Sequence, residues 1–391
     1  MQPLKQPASD ERVSLQELLL GRRERGLLRA ADRRALRGSR LLVTGAGGSI
    51  GSALARLLAE CAPARLVLFD QSEYNLFRIE RELRASRPDV PIVPVLGDVS
   101  RAGDIDDACE RTMPDVVYHA AAYKHVTMAE RAVLSAVRTN VFGTWHAARA
   151  AAGCGARFVQ VSTDKAAQPL SVMGATKRLA ELVALTAAGR SARVVAVRFG
   201  NVLGSSGSVL ELMLEQMRDG RPIELTDPRA TRYFMTPREA VSLIVKADLL
   251  GRTGEILWLD MGQPVRIADL AERVQNWGES IGLRRVPVRY IGLRPGEKLR
   301  EELTTIGLSL ARTSHPRIWT ARQPRPDVRM VRRVLRALRD DIRRNDALTA
   351  LADLQAGVPE YTPSREAREA AAAGLLAHAH SPSDRRPRLN R

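Results

Sequence analysis

The sequence predicts an α/β fold: a doubly wound, parallel sheet with a smaller C-terminal part. Three observations carry this. Six apolar runs of strand length recur between residues 40 and 200, helical patterns fill the gaps between them, and the alternation breaks after Gly200. Strands covered by helices on both faces read as nearly continuous apolar runs, as these do.

Residues 1–38 read as an N-terminal helical extension. Within them, residues 13–36 carry leucines at 15, 18, 19, 27 and 28 among arginines. That pattern predicts an amphipathic helix packed on its own domain, with contact to a membrane surface as the alternative. The strands follow as RLLVTG (40–45), RLVLFD (65–70), PIVPVLGD (91–98), DVVYHAAA (115–122), RFVQVS (157–162) and RVVAVRFG (193–200). Residues 39–200 are therefore the doubly wound domain. Residues 201–330 are richer in Pro, Gly and Arg, and mix short helices with the loops GSSGS, TDPRATRYF and GLRPGEK. They predict a smaller part interleaved with the first. Residues 331–363 read as closing helices. Residues 364–391, rich in Ala, Arg and Pro, read as a disordered tail.

Composition narrows the function. The chain has 391 residues, of which 45% are hydrophobic and 27% charged, so a packed core is affordable. No apolar run approaches the roughly 20 residues that a membrane-spanning helix needs. Cys61, Cys109 and Cys154 form no CxxC or CxH pattern, which argues against a disulfide scaffold or a metal site and fits a reducing cytoplasm. The formal charge is 61 − 44 = +17, yet only six of the 61 basic residues are lysine. Such a skew reads as drift from Lys to Arg. With aromatics at 4% and the arginines dispersed, no nucleic-acid partner is expected. The skew also makes the remaining lysines informative, because a lysine ammonium can be tuned to lose its proton and a guanidinium cannot. Lys124, Lys165, Lys177 and Lys298 all fall inside motifs.

The segment TGAGGSIG (44–51) lies between the first strand and a helical pattern, with glycines at 45, 48 and 51. A tight turn that brings backbone close to a pyrophosphate and then starts a helix needs this spacing. The turn predicts cofactor contacts from Gly45, Gly48, Ser49, Ile50 and Gly51. Asp70 ends the next strand nineteen residues after Gly51. An acid there accepts hydrogen bonds from a ribose diol and repels a 2′-phosphate. NAD is expected, with NADP left open by the nearby Arg78. Asp98 and Val99, after the third strand, are expected beside the adenine.

VSTDK (161–165) leaves the fifth strand, at the sheet edge where open α/β folds place ligands. Eight residues after Lys165 comes Met173, and four later Lys177, on a predicted helix. The i, i+4 spacing puts both on one helical face. The region resembles the extended short-chain dehydrogenase/reductase superfamily, where it reads Ser/Thr…Tyr-x-x-x-Lys. This sequence keeps the lysine and has methionine in place of tyrosine. A thioether cannot transfer a proton. Either the chain is a catalytically silent NAD-binding protein, or the proton work has moved to Asp164 and Lys165.

Residues 13–363 resemble the UDP-N-acetylglucosamine 4,6-dehydratases of bacterial capsule, O-antigen and protein-glycosylation pathways. The matching pieces are LLVTGAGGSIGS, LFDQSEYNLFRIERELR, YHAAAYKHVTMAE, TNVFGT, VSTDKAAQPLSVMGATKRLAE, VRFGNVLGSSGSV, RYFMTPREAV, GLRPGEKLREEL and PEYTP. Many members carry an N-terminal membrane domain, and this chain matches the catalytic portion. The methionine variant resembles the branch that retains configuration at C5, and the tyrosine-containing relatives invert it.

The resemblance implies NAD-dependent oxidation at C4 of the hexose, loss of water across C5 and C6, and hydride return to C6. The product would be UDP-2-acetamido-2,6-dideoxy-α-D-xylo-hexos-4-ulose. Lys165 is implied as the C5 base and Asp164 as the acid for the C6 hydroxyl, with Thr163 on the C4 oxygen and Lys177 on the nicotinamide ribose. Lys165 must be neutral to act, so burial or Lys177 is expected to depress its pKa. Met173 would act by shape beside the sugar or nicotinamide. Lys124 and His125 are implied beside the substrate, Asn201 and the turn from Ser205 to Ser208 at the phosphates, and Arg232 and Arg294 as phosphate clamps. Glu297 would order its loop or touch ribose. A homo-oligomer with at most peripheral membrane contact is expected. The rivals are a C5-inverting dehydratase, a C4 epimerase, which needs no Asp-Lys pair, and the silent binder.

Overall fold

The computed structural model describes residues 15–187, 192–294, 296–301, 310–322 and 326–379. Two short helices, α1 (Leu15–Leu20) and α2 (Ala30–Leu36), stand where one amphipathic helix is expected. Gly21 and Gly26 take φ of +65° and +72° and turn the chain between them. Leu19, Leu20, Leu28 and Leu36 are buried, so the extension packs on its own domain. Glu239 anchors it, accepting from the Arg22 guanidinium at 2.6 and 3.0 Å and from the Arg25 N–H at 2.7 Å. Lys246 reaches Asp32 at 3.2 Å.

The doubly wound part runs β1 (Arg40–Thr44), α3 (Ser49–Ala59), β2 (Arg65–Asp70), α4 (Glu73–Ser86), β3 (Ile92–Leu96), α5 (Ala102–Thr112) and β4 (Val116–His119). It continues through α6 (Val126–Arg131), α7 (Val133–Ala136), a π-helical segment (Val137–Phe142), α8 (Gly143–Gly153), β5 (Arg157–Val161), a 3₁₀ turn (Asp164–Ala166), α9 (Val172–Ala187) and β6 (Val194–Arg198). Every expected apolar run is a strand, and all six pair in parallel. Their order, β3-β2-β1-β4-β5-β6, reverses direction beside β1. The carboxyl ends of β1, β4, β5 and β6 thus open toward one crevice.

The second part supplies β7 (Asn201–Val202), α10 (Val209–Arg218), β8 (Ile223–Leu225), β9 (Thr231–Arg232), β10 (Phe234–Met235), α11 (Pro237–Leu250) and β11 (Glu255–Leu259). After these come β12 (Val265–Arg266), α12 (Ile267–Ser280), β13 (Val288–Tyr290), β14 (Ala311–Arg312) and β15 (Ile318–Arg322). β11 joins the main sheet in parallel beside β6, and β15 and then β14 extend it antiparallel. The two parts therefore share one sheet. A separate apolar cluster that includes Leu210, Met213, Leu270 and Val274 sits between α10 and α12.

Helices α13 (Val328–Arg344), α14 (Ala347–Gly357) and α15 (Arg365–Ala379) close the fold. The last corrects the expectation of a disordered tail from residue 364. Ser364 accepts from the Ala367 N–H at 3.0 Å and so caps α15, while Ala367 and Ala371 are buried in the same apolar cluster as Leu351 and Leu354. Alanine contributes little to a hydropathy signal, but a face of alanines can still pack. Residues 380–391 of the expected tail, and residues 1–14 of the extension, lie outside the described residues.

Candidate active site

The glycine turn forms as expected. Gly45 has φ +66°, and a Cβ on Gly51 would lie 1.9 Å from the Gly45 carbonyl oxygen, so neither position admits a side chain. Gly48 is the N-cap of α3, and no side chain caps that helix. The first N–H groups of α3, at Ser49 and Ile50, are therefore available to an anion. The Asp70 carboxylate is buried and holds the turn itself: it accepts from the Gly47 N–H and the Ser72 N–H, both at 2.8 Å. Each carboxylate oxygen keeps a further acceptor position for a ribose hydroxyl. An uncapped helix end, a glycine turn and an acid at the end of β2 fit a dinucleotide.

Asp98 accepts from the Ser100 N–H at 2.8 Å, and Val99 is buried with its carbonyl 3.1 Å from His146 Nδ1. Both order the loop after β3. The turn at Ser205 to Ser208 folds over the dinucleotide end: the Ser206 N–H donates to Ser49 Oγ at 3.0 Å. The Ser205 carbonyl accepts the Ser208 N–H at 2.9 Å, and Ser208 Oγ is buried with no hydrogen-bond partner among the described residues. Lys124 and His125 are exposed at the rim of the crevice, and a Cβ on Gly207 would fall 2.6 Å from the His125 ring.

At the end of β5, the Thr163 hydroxyl caps the 3₁₀ turn and donates to Asp164 Oδ1 at 3.0 Å. Lys165 Nζ lies 3.2 Å from that same oxygen, 3.5 Å from Asn201 Oδ1 and 2.5 Å from Glu301 Oε1. Glu301 Oε2 accepts from Asn201 Nδ2 at 3.2 Å, and Arg232 Nε stands 3.4 Å from Glu301 Oε1. Two close approaches make room for this cluster. A Cβ on Gly174 would lie 2.5 Å from the Lys165 carbonyl oxygen, and one on Gly200 2.9 Å from Asp164 Oδ2. Asp164 Oδ2 is buried and has no hydrogen-bond partner among the described residues. Thr163, Asp164, Lys165, Asn201 and Arg232 are thus brought together, and Glu301 completes the group.

The electrostatics correct one expectation. Burial opposes the charge on Lys165, but Asp164 and Glu301 outweigh it and hold the pKa above the ordinary lysine value, not below. Burial likewise opposes the charge on Asp164. The Lys165 ammonium, the Glu301 carboxyl and the Thr163 hydroxyl together still lower its pKa. For Glu301 burial wins: it raises the pKa to about 7, against the pull of Lys165 and with the help of Asp164. Lys177 is buried, donates to the Val161 carbonyl at 2.6 Å, and has its pKa lowered by burial to about 8 although Glu181 opposes the shift.

Other sites also shift. Asn201, expected at the phosphates, spends its amide on Lys165, Glu301 and the Tyr233 carbonyl, because β7 runs directly past the 3₁₀ turn. Met173 is 4% exposed within an apolar cluster that includes Val172 and Leu179 of its own helix and Val331 and Leu335 of α13. Arg294 is exposed and outside the Lys165 cluster, with its carbonyl accepting the Glu297 N–H at 3.0 Å. Glu301 is the residue that sequence reasoning missed. It lies inside the GLRPGEKLREEL motif, yet that motif has three glutamates and nothing local distinguishes them. Among the described residues no group of His, Cys, Asp and Glu could hold a metal ion, and no helix is long and apolar enough to cross a membrane.

Residues 41–323 match the family described as "Polysaccharide biosynthesis protein". The capsular polysaccharide biosynthesis protein CapD of Staphylococcus aureus is 43% identical over 295 residues, which cover 73% of this chain and 48% of CapD. The chain spans about half the length of the first curated relatives it matches. A UDP-glucose 4-epimerase of Rickettsia bellii is 33% identical over 275 residues, 68% of this chain and 77% of the epimerase. Among solved structures, Pen from Bacillus thuringiensis aligns with a TM-score of 0.68 at 32% identity, covering 74% of this chain and 89% of Pen. The dTDP-glucose 4,6-dehydratase DesIV of Streptomyces venezuelae, solved with NAD and TYD bound, aligns at 0.59 and 26% identity, covering 68% and 88%.

Proposed function

Because the chain belongs to the polysaccharide biosynthesis protein family, we propose that it is an NAD-dependent enzyme that modifies a nucleotide sugar, and specifically a UDP-N-acetylglucosamine 4,6-dehydratase. One observation carries the dehydratase reading: an acid and a lysine, Asp164 and Lys165, stand 3.2 Å apart at the carboxyl end of β5. Removal of a C5 proton and loss of the C6 hydroxyl require such a pair, and exchange of configuration at C4 does not.

The turn from Gly45 to Gly51, Asp70 and Lys177 would hold the dinucleotide. When bound, it would supply a reversible hydride acceptor for C4 and a hydride donor for C6. Thr163 would hydrogen-bond the C4 oxygen, and an ordered water would take the C4 hydroxyl proton. A C4 ketone acidifies the C5 proton, because the carbanion delocalises as an enolate, and Lys165 would remove it and return a proton to C5 when the hydride reaches C6. Asp164 would deliver a proton to the departing C6 hydroxyl. Lys124, His125, Ser208, Arg232 and Arg294 are proposed for the UDP end, where guanidinium forks match phosphate oxygens. Met173 can move no proton, so its place in the apolar cluster makes it a packing residue.

A second reading, a C4 epimerase, is favoured by the 33% identity to the Rickettsia UDP-glucose 4-epimerase. One incubation separates the two: purified protein, UDP-GlcNAc and NAD in D₂O, followed by NMR and mass spectrometry. A product lighter by one water, after allowing for deuterium uptake, supports the dehydratase, and its C5 configuration separates retention from inversion. A product of unchanged mass inverted at C4 supports the epimerase. No product from a panel of nucleotide sugars, with NAD bound and the protein folded, supports a silent binder.

A further inference from the structure

In the proposed reaction Lys165 must lose a proton before it can take one from C5, yet its surroundings keep it charged. The group closest to its ammonium is Glu301, at 2.5 Å. Glu301 comes from the second part of the chain, 136 residues away, and is only 8% exposed. Lys165 and Asp164 face it from the 3₁₀ turn, Asn201 from β7 and Arg232 from β9. Resting on the dehydratase reading, we propose that Glu301 is the proton acceptor for Lys165, a positioning residue that turns the ammonium into the amine that attacks C5–H.

The protons and electrons balance. An N–H bond of Lys165 breaks and an O–H bond forms on Glu301, leaving the lone pair on nitrogen. The C5–H bond then breaks, its proton rebuilding the Lys165 ammonium while its electron pair enters the C4 enolate. As the C6–O bond breaks, that pair forms the C5–C6 double bond. The proton parked on Glu301 passes through Asp164 and leaves with the hydroxyl as water. Glu301 and Asp164 are anionic again, and the site has gained and lost no charge. Burial raises the Glu301 carboxyl to about 7, which narrows the gap that an ordinary glutamate would leave to the Lys165 ammonium.

The test pairs two measurements on the full chain. In the protein without substrate, the ¹³C carboxyl signal that Glu301→Gln removes is followed against pH. Titration near neutrality is expected. Titration in the ordinary carboxylate range overturns the proposal whether or not the protein is a dehydratase. Turnover with UDP-GlcNAc and NAD is then compared. Wild type should lose activity as pH falls through about 7, since a protonated Glu301 cannot accept. Glu301→Gln should be slower by about 100-fold and lack that acid limb, and Glu301→Asp should recover part of both. An unchanged rate and pH profile in Glu301→Gln overturns the relay. So does loss of folding or NAD binding in both variants, which marks Glu301 as structural. A wild type that dehydrates no nucleotide sugar defeats the dehydratase reading instead, and the carboxyl titration still decides whether Glu301 can exchange a proton near neutrality.

Discussion

Arg198 and Glu181 meet through two hydrogen bonds of 2.6 Å, and their side chains are 0% and 1% exposed. Glu181, on α9, also accepts from the Ser162 hydroxyl at 2.6 Å and from Arg178 at 3.1 Å. Arg198, on β6, donates to the Ala166 carbonyl at 3.2 Å and stacks over Trp258 at 4.7 Å. The pair therefore grips the residues on either side of Thr163, Asp164 and Lys165. Arg178 carries the connection on to Glu360 at 3.1 Å, so the segment before α15 braces the 3₁₀ turn.

Removing Arg198 leaves the buried Glu181 carboxylate with only Arg178 and the Ser162 hydroxyl to offset its charge. Arg198→Met should lower unfolding free energy by about 3–5 kcal/mol, the range for a broken buried pair, as measured by urea titration. A loss below about 1 kcal/mol would place this pair with exposed ion pairs and contradict the burial described above.

The glycine turn offers a paired test. Gly51→Ala drives a methyl into the Gly45 carbonyl, while Gly103→Ala meets nothing within 4 Å. Titration of NAD against both should show affinity reduced at least about tenfold, or about 1.4 kcal/mol, for Gly51→Ala and unchanged for Gly103→Ala. Equal affinities in the two variants would mean that NAD does not use this turn.

Lys165→Met and Asp164→Asn should each reduce water loss from UDP-GlcNAc by about 10²–10⁴-fold while NAD titrations stay at wild-type affinity. Met173→Leu should leave turnover within a small factor of wild type and cost less than about 1.5 kcal/mol, because a buried thioether acts there by volume. A collapse of activity in Met173→Leu with the fold intact would assign the sulfur a direct role.

Lys177 has a folded pKa of about 8 against 10.5 in the unfolded chain. Between those values the unfolded chain binds more protons, so this residue makes stability rise with pH across that window. The rise should be on the order of 3 kcal/mol at 1.36 kcal/mol per pKa unit. Urea unfolding at pH 8 and pH 10 should show a larger gain for wild type than for Lys177→Met, and parallel curves would contradict the shift.

Legibility followed the range of each interaction. RLLVTG, RLVLFD and RFVQVS announce strands because burial on both faces demands continuous apolar runs, and each one is a strand of the parallel sheet. Gly45 and Gly51 were legible because a turn this tight excludes side chains. The stretch from 13 to 36 misled, since leucine spacing carries no mark of the two positive-φ glycines that break it. The last helix misled for a related reason, as Ala367 and Ala371 bury without looking hydrophobic.

The amino-acid sequence by itself determined the α/β alternation, the dinucleotide turn and the Asp164-Lys165 pair, because each depends on residue type and short spacing. Tertiary structure alone decided the protonation of that pair and its neighbours. Folding brings Glu301 across 136 residues to within 2.5 Å of Lys165, and sets Asn201 and Arg232 beside them. Charges act through space and desolvation through burial, so the lysine expected to be neutral stays charged and the glutamate beside it takes the pKa of about 7.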